Sequence, residues 1–367
     1  MVKYTFLIAA GGTGGHLFPA LAVVEKLSEK IPDAKFIFTG RADKIEGDII
    51  PKLGYEFIPI QIEGFYGLSF KTFLLPFKIL LAKSKLTKII KNRKVNAVIA
   101  TGAYISYAPG IAAKSQKVPL FLLESNVNPG KTISILSHYA DLIFTSYENS
   151  KNYFNPLYFN KIICSGNPLR NNLFKNISKE DALNKLGLSI NKKTLLIFGG
   201  SLGANSINNT VNNILNELVN LDINIIWQTG KNFTYNGDKY NNLVVQTFFY
   251  DMNLVYSASD LVVCRSGATT VAEIAALGKP SILVPLPSAS NNEQLLNAQM
   301  FKNNNAAILI EDNNLNNFLF ETIKNTITND EKLKILSINA KKLFKKDAAD
   351  IVAEEIIYYL KKDGRES

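Results

Sequence analysis

The sequence predicts an α/β protein of two domains, each a parallel sheet with helices on both faces. Three observations predict it. A strand–glycine loop–helix pattern occurs twice. Short apolar runs alternate with helix-like segments along both halves. The 367 residues are enough for two domains of ordinary size.

The first copy of the repeat, Lys3 to His16, reads K-Y-T-F-L-I-A-A-G-G-T-G-G-H, and the second, Lys192 to Asn205, reads K-K-T-L-L-I-F-G-G-S-L-G-A-N. Each has a basic start, an apolar strand, a glycine loop with a hydroxyl residue, and then a helical pattern. One copy in each half is a domain-scale repeat, not a solenoid period. Further strands are expected at residues 35–39, 97–101, 119–123 and 142–145 in the first half. In the second half they are expected at 223–228, 243–246, 261–264, 281–284 and 306–309. Parallel sheets of this kind bind ligands beyond the carboxyl ends of their strands, so two such domains with facing ends would enclose a cleft.

Gly166-Asn167-Pro168 marks the expected boundary, because glycine and Asn-Pro favour a turn and Pro168 biases Asn167 away from helix. This gives domains at residues 1–166 and 167–346. A C-terminal helix at about 347–367 is expected to pack back on the first domain.

Hydrophobic residues make up 47% and charged residues 20%, which is a globular composition and not a disordered one. The two cysteines, Cys164 and Cys264, are too few for a disulfide framework or a metal cluster, and both read as buried free thiols. The apolar run after Met1 leads directly into a glycine loop instead of a cleavage site, and no apolar stretch approaches the ~18 residues of a spanning helix. The expected compartment is the cytoplasm. The net charge of +10 suits an anionic partner: a membrane surface, a nucleic acid or a phosphorylated substrate. Charge alone does not choose among them.

A glycine loop between strand and helix lets backbone N–H groups approach a phosphate, and the helix terminus adds roughly half a positive charge. In the first loop the best dinucleotide frame is Gly12-Thr13-Gly14-Gly15-His16-Leu17. Its sixth position is leucine, and the second strand ends Phe38-Thr39-Gly40-Arg41 with no acidic residue for an adenosine ribose. An oxidoreductase is therefore disfavoured. His16, at the start of the helix, can act as general base or as a donor to a phosphate. His138 follows an apolar stretch and reads as structural.

The second signal is Cys264-Arg265-Ser266-Gly267-Ala268-Thr269-Thr270-Val271-Ala272-Glu273. Small and hydroxyl residues there expose first-turn amides to an anion. About two turns in, the Glu273 carboxylate can accept from both hydroxyls of a ribose. Arg170, just past the domain junction, can neutralise a diphosphate leaving group. The chain has no Asp-x-Asp pair to hold a divalent metal, so leaving-group charge falls to Arg170 and helix amides.

Seven motifs, in order along nearly the whole chain, resemble the MurG family of peptidoglycan synthesis, which makes cell wall for growth, shape and division. They are Gly11-Gly12-Thr13-Gly14-Gly15-His16 with Pro19 and Ala20, Gly102-Ala103-Tyr104-Ile105-Ser106, Glu124-Ser125-Asn126, Gly166-Asn167-Pro168-Leu169-Arg170, Gly199-Gly200-Ser201-Leu202-Gly203-Ala204, Arg265-Ser266-Gly267-Ala268 with Glu273, and Gln294-Leu295-Leu296-Asn297-Ala298. The resemblance implies a GT-B fold, with nucleotide bound mainly by the C-terminal domain and acceptor by the N-terminal one. It implies inverting transfer of N-acetylglucosamine from UDP-N-acetylglucosamine to the 4-hydroxyl of N-acetylmuramic acid in lipid I, giving lipid II. No cofactor, no metal and no nucleic acid is implied, and the expected place is the cytoplasmic face of the membrane. By carry-over, donor contacts fall to Thr13, Gly14, Gly15, Asn126, Arg170, Ser201, Phe249, Ala268, Thr269, Thr270, Val271, Ala272, Glu273 and Gln294. Phe249 would act on uracil through its backbone. The acceptor would meet Gly14, Gly15, His16, Tyr104 and Ser106, with His16 and Arg170 as the catalytic pair. The chain departs from the family at Ala103, often glycine; at Ser125, often glutamine; at Pro109, a displaced proline; and at Glu293, a glutamine or histidine elsewhere.

Residues 68–94 carry Phe70, Phe73, Leu74, Phe77, Leu80 and Leu81 at helical spacing. Lys71, Lys78, Lys83, Lys85, Lys88, Lys91, Arg93 and Lys94 lie around and after them, as in a helix lying on an anionic bilayer. Three rivals share parts of the pattern: a UDP-sugar transferase to another membrane lipid, a UDP-sugar epimerase, and a non-catalytic UDP-sugar-binding subunit. UDP release with and without lipid I separates them.

Overall fold

The computed structural model describes residues 4–62, 75–200 and 203–364. The chain divides into two compact units, Met1–Arg170 with Lys345–Ser367, and Asn171–Phe344. Residues 167–170 thus belong with the first unit.

The first unit holds a seven-stranded sheet in the order β3-β2-β1-β4-β5-β6-β7. Its strands are β1 (Thr5–Ala9), β2 (Lys35–Gly40), β3 (Glu56–Pro59), β4 (Ala97–Ala100), β5 (Leu120–Glu124), β6 (Leu142–Thr145) and β7 (Ile162–Cys164). Every pair is parallel. The edge strands β3 and β7 carry no apolar run long enough to stand out in the sequence. The inner strands β1, β4 and β5 are buried from end to end, as expected where helices cover both faces.

The C-terminal helix Ala348–Lys362 packs on the helix Gly14–Lys30. Val352, Ala353, Ile356 and Leu360 join Val23, Val24 and Leu27 in one buried cluster. Lys30 Nζ donates to Glu354 at 2.8 Å, and the Tyr359 hydroxyl donates to Asp141 at 2.8 Å. Gly166 sits where this segment returns: its φ is +86°, and a methyl there would lie 2.7 Å from Lys345 Cβ. Only glycine meets both demands.

The second unit repeats the topology with six parallel strands, β10-β9-β8-β11-β12-β13. They are β8 (Thr194–Phe198), β9 (Asn224–Gln228), β10 (Leu243–Gln246), β11 (Leu261–Cys264), β12 (Ser281–Leu283) and β13 (Ile308–Leu309). Its one tryptophan, Trp227, is fully buried and donates to Asn208 at 3.1 Å, so the indole N–H is satisfied inside the core. Cys264 is buried as expected, whereas Cys164 is only half-buried.

Both sheets change direction between their first and fourth strands. Those switch points fall at β1/β4 and β8/β11, and loops beyond the carboxyl ends of such strands are where doubly wound sheets bind ligands. The loops after β1, β4, β8 and β11 begin at Ala10, Thr101, Gly199 and Arg265. These are four of the seven motifs read from the sequence.

Candidate functional site

In the first unit, β1 runs into the glycine loop and then the helix Gly14–Lys30, with Thr13 at its N-cap. Thr13 Oγ1 lies 3.1 Å from His16 Nδ1, which fixes the imidazole over the first turn. The second loop reaches the same ring, since a methyl on Gly102 would lie 3.7 Å from His16 Cδ2. Part of the His16 surface stays open, yet the surrounding protein desolvates the ring and lowers its pKa to about 4. His16 is therefore neutral at neutral pH. A neutral imidazole suits a hydrogen bond to a substrate oxygen, and a base this weak is poorly matched to proton abstraction near pH 7.

Glu46 braces the loop from behind, and the sequence reading missed it. It is fully buried, and its two oxygens accept from Gly12 N at 2.8 Å and Arg41 N at 2.9 Å. Its partners lie 34 and 5 residues away, so no local pattern announces it.

Ser106, expected to meet the acceptor, has its side chain turned into the interior. It is fully buried, and its hydroxyl donates to Ala9 O at 3.2 Å and to Gly102 O. It ties the end of β1 to the β4 loop. Tyr104, two residues earlier, keeps part of its surface exposed. Ala103 has φ 51° and ψ 171°, a conformation that is essentially glycine-only.

Glu124, at the end of β5, organises the next turn. Its Oε1 accepts from Asn126 N at 2.8 Å and Asn126 Nδ2 at 3.1 Å, and its Oε2 accepts from Gly130 N at 2.8 Å. Ser125 Oγ is 3.4 Å from the Asn167 carboxamide, linking this turn to the Gly-Asn-Pro segment. Three residues on, the Arg170 guanidinium stacks 3.8 Å from the centre of the Phe18 ring. Phe18 lies against Gly14, where a methyl would come within 2.7 Å of the ring. Arg170 is thereby held beside the first turn of the glycine-loop helix.

In the second unit, a cavity of about 440 Å³ is lined by Gly199, Gly200, Gly203, Arg265, Thr270 and Gln294, among others. Gly203 has φ +82°, and a methyl there would run into Thr229 O, so the loop can hug β9 only with glycine. Ser201, expected at the donor, lies outside the described residues.

Gln228, at the end of β9, was also missed. Its Nε2 donates to Gly200 O at 3.2 Å and its Oε1 accepts from Phe249 N at 2.8 Å. One buried carboxamide thus joins the glycine loop to the Phe249 segment. Because the Phe249 N–H is used here, a base would meet this backbone through its carbonyl.

The helix Ala268–Leu277 starts at Gly267 with no side-chain cap. Ala268, Thr269 and Thr270 are partly exposed on its first turn. Val271 and Ala272 were expected to touch the donor, but their side chains are buried in the interior. Glu273 is partly exposed and accepts from the Tyr256 hydroxyl at 2.9 Å. Arg265 is buried beneath the cavity. Its guanidinium donates to Val284 O at 3.3 Å, Pro285 O at 3.1 Å and Ser206 Oγ at 2.8 Å, and pairs with Asp312. Gln294 Oε1 accepts from Leu286 N at 3.0 Å, which orients its amide nitrogen. Burial raises the pKa of the neighbouring Glu293. His138 stands apart from these groups, 3.0 Å from the Tyr158 hydroxyl.

Among the described residues no three His, Cys, Asp or Glu side chains gather as metal ligands would. Nor is any described helix long and apolar enough to cross a membrane.

Residues 6–145 match the glycosyltransferase family 28 N-terminal domain, and residues 194–352 match its C-terminal domain. The chain is 35% identical to a UDP-N-acetylglucosamine--N-acetylmuramyl-(pentapeptide) pyrophosphoryl-undecaprenol N-acetylglucosamine transferase of Parabacteroides distasonis, covering 99% of this chain and 100% of that one. It is 37% identical to the protein of the same name from Bacteroides thetaiotaomicron, over 96% of each. Among solved structures it resembles Acinetobacter baumannii MurG at a TM-score of 0.75 and 26% identity, over 97% of this chain and 99% of that one. A UDP-GlcNAc 2-epimerase from Neisseria meningitidis superposes at a TM-score of 0.67 with 16% identity, over 97% and 100%. That likeness shows a shared fold and nothing of the reaction.

Proposed function

The chain belongs to the MurG family of glycosyltransferases, with a two-domain GT-B α/β fold, and on that premise we propose that it moves N-acetylglucosamine from UDP-N-acetylglucosamine to lipid I, forming lipid II. The acceptor 4-hydroxyl attacks the anomeric carbon with inversion. The bond from that carbon to the diphosphate oxygen breaks, UDP leaves, and the hydroxyl proton passes to a base or to water.

One observation supports this assignment of roles: the loops at both switch points, where doubly wound sheets bind ligands, carry four of the seven motifs. In the second unit the Phe249 carbonyl accepts from the base and Glu273 accepts from the ribose. First-turn amides at Ala268, Thr269 and Thr270 face the diphosphate, and Ser201 is assigned to the donor with them. The Gln294 amide nitrogen serves a sugar hydroxyl. In the first unit Thr13, Gly14, Gly15 and Asn126 add donor contacts, and Arg170 balances the charge that grows on the leaving diphosphate. His16 and Tyr104 address the acceptor. No step is assigned to a metal.

The protein works as a peripheral protein at the cytoplasmic face of the membrane. Phe77, Leu80 and Leu81 are 63%, 61% and 72% exposed on the helix Leu75–Asn92, whose other face buries Ala82, Leu86 and Ile90. Phe70, Lys71, Phe73 and Leu74 of the same amphipathic segment lie outside the described residues. A polyisoprenyl diphosphate acceptor stays in the bilayer, so the enzyme must come to it.

Glu273→Ala tests the donor site. Hydrogen bonds to a charged group contribute roughly 1.5–3 kcal/mol, so the donor KM should rise by at least about tenfold while the lipid I KM holds. An unchanged donor KM in a folded variant sinks the assignment.

A further inference from the structure

Tyr256 touches no surface. It lies on the helix Met252–Ala258, fully buried, with its ring edge-on to Phe198 at the end of β8, 6.0 Å between centroids at 81°. A buried tyrosine hydroxyl needs a partner, and this one donates to Glu273 Oε2 at 2.9 Å across 17 residues of chain. Glu273 is a partly exposed side chain with three rotatable bonds, and left alone it would sample several rotamers. A buried donor of fixed position restricts that freedom. Burial and the nearby Glu273 carboxylate hold the Tyr256 pKa well above its usual value, so the hydroxyl stays a donor throughout the working pH range.

The same helix joins two parts of the site. It begins three residues after Phe249, and Asp251 caps it by accepting from Leu254 N at 3.3 Å. The Phe249 backbone thus lies three residues before the helix that carries the carboxylate-holding hydroxyl.

We propose that Tyr256 is a positioning residue that locks the Glu273 carboxylate in the orientation that recognises the ribose hydroxyls of the nucleotide donor. This rests on the proposed reading of Glu273 as a ribose ligand. Tyr256 touches neither donor nor acceptor and acts only through that carboxylate.

Tyr256→Phe keeps the ring and removes one hydroxyl. The full chain would be titrated with UDP and with 2′,3′-dideoxy-UDP, which lacks the hydroxyls Glu273 would hold. Thermal melting would confirm the fold. Losing one positioning hydrogen bond should weaken UDP binding about five- to tenfold. Binding of the dideoxy nucleotide should change less than twofold. In turnover the loss should appear in the donor KM and not in kcat. Equal weakening of both nucleotides would mean a merely structural role and overturns the proposal, as does unchanged UDP binding. Glu273→Gln, measured with the same pair of nucleotides, separates the two levels. If it fails to discriminate them, the ribose reading itself falls. If it discriminates and Tyr256→Phe does not, only the positioning role falls.

Discussion

Thr13 Oγ1 and His16 Nδ1 lie 3.1 Å apart, and that contact holds a neutral imidazole at the mouth of the first glycine loop. Desolvation lowers the His16 pKa from 6.5 to about 4. Between those values the unfolded chain binds a proton that the folded chain refuses, so stability rises with pH across the window. The contribution is present in full above pH 6.5 and is lost as pH falls toward 4. His16→Asn should therefore flatten the loss of stability between pH 7 and pH 5, measured by urea unfolding. Parallel curves for parent and variant would show that the ring is not desolvated. The pH profile of kcat/KM should carry no His16 inflection near 6.5.

Ala103 occupies a backbone conformation that costs about 1–3 kcal/mol for a residue with a Cβ. Glycine relieves that strain but loses more entropy on folding, by roughly 0.5–1 kcal/mol. Ala103→Gly should therefore stabilise the protein by about 1 kcal/mol and raise its melting temperature. A lower melting temperature would show that the alanine methyl packs better than the strain costs.

Arg170 stacks on Phe18, and a lysine cannot reproduce a planar cation on a ring. Arg170→Ala should cut kcat by about 10²–10³-fold with a smaller effect on donor binding, because leaving-group charge develops in the transition state. Arg170→Lys should recover only part of this. Turnover should persist in EDTA. A rate that vanishes with chelator and returns with a divalent ion would replace this account with a metal-assisted one.

Much of this site was legible in the sequence, because glycine loops between strand and helix are local patterns. The β1, β4, β8 and β11 loops were all found, and the parallel sheets followed from the alternation. Glu46, Gln228 and Tyr256 were not found. Each is a buried polar side chain whose partner lies across the fold: Gly12, Phe249 and Glu273 respectively. Their roles exist only once the sheet order is fixed. Nor was it legible that the side chains of Ser106, Val271 and Ala272 are buried. Adjacency to a motif says nothing of which way a side chain points, and on a helix start only part of each turn faces outward.

The membrane face proposed for this protein is the exposed side of the helix Leu75–Asn92. Lys85 Nζ already donates to Pro59 O at 2.8 Å, so its ammonium is partly engaged within the fold. Phe77, Leu80 and Leu81 are the better probes. Phe77→Ser combined with Leu81→Ser should sharply reduce sedimentation with anionic vesicles and leave donor binding in solution unchanged. Added salt should weaken binding of the parent, since each basic residue near the surface contributes roughly 1 kcal/mol that ions screen. Undiminished sedimentation of the double variant would assign the contact elsewhere.

The most direct measurement is a turnover assay of the purified chain with lipid I and a panel of UDP-sugars, following UDP release and the lipid product together. UDP should appear only when lipid I and UDP-N-acetylglucosamine are both present, in one-to-one ratio with a β-linked disaccharide lipid. UDP release without lipid I, conversion of the sugar nucleotide to an epimer, or preference for another UDP-sugar or lipid acceptor would contradict the assignment.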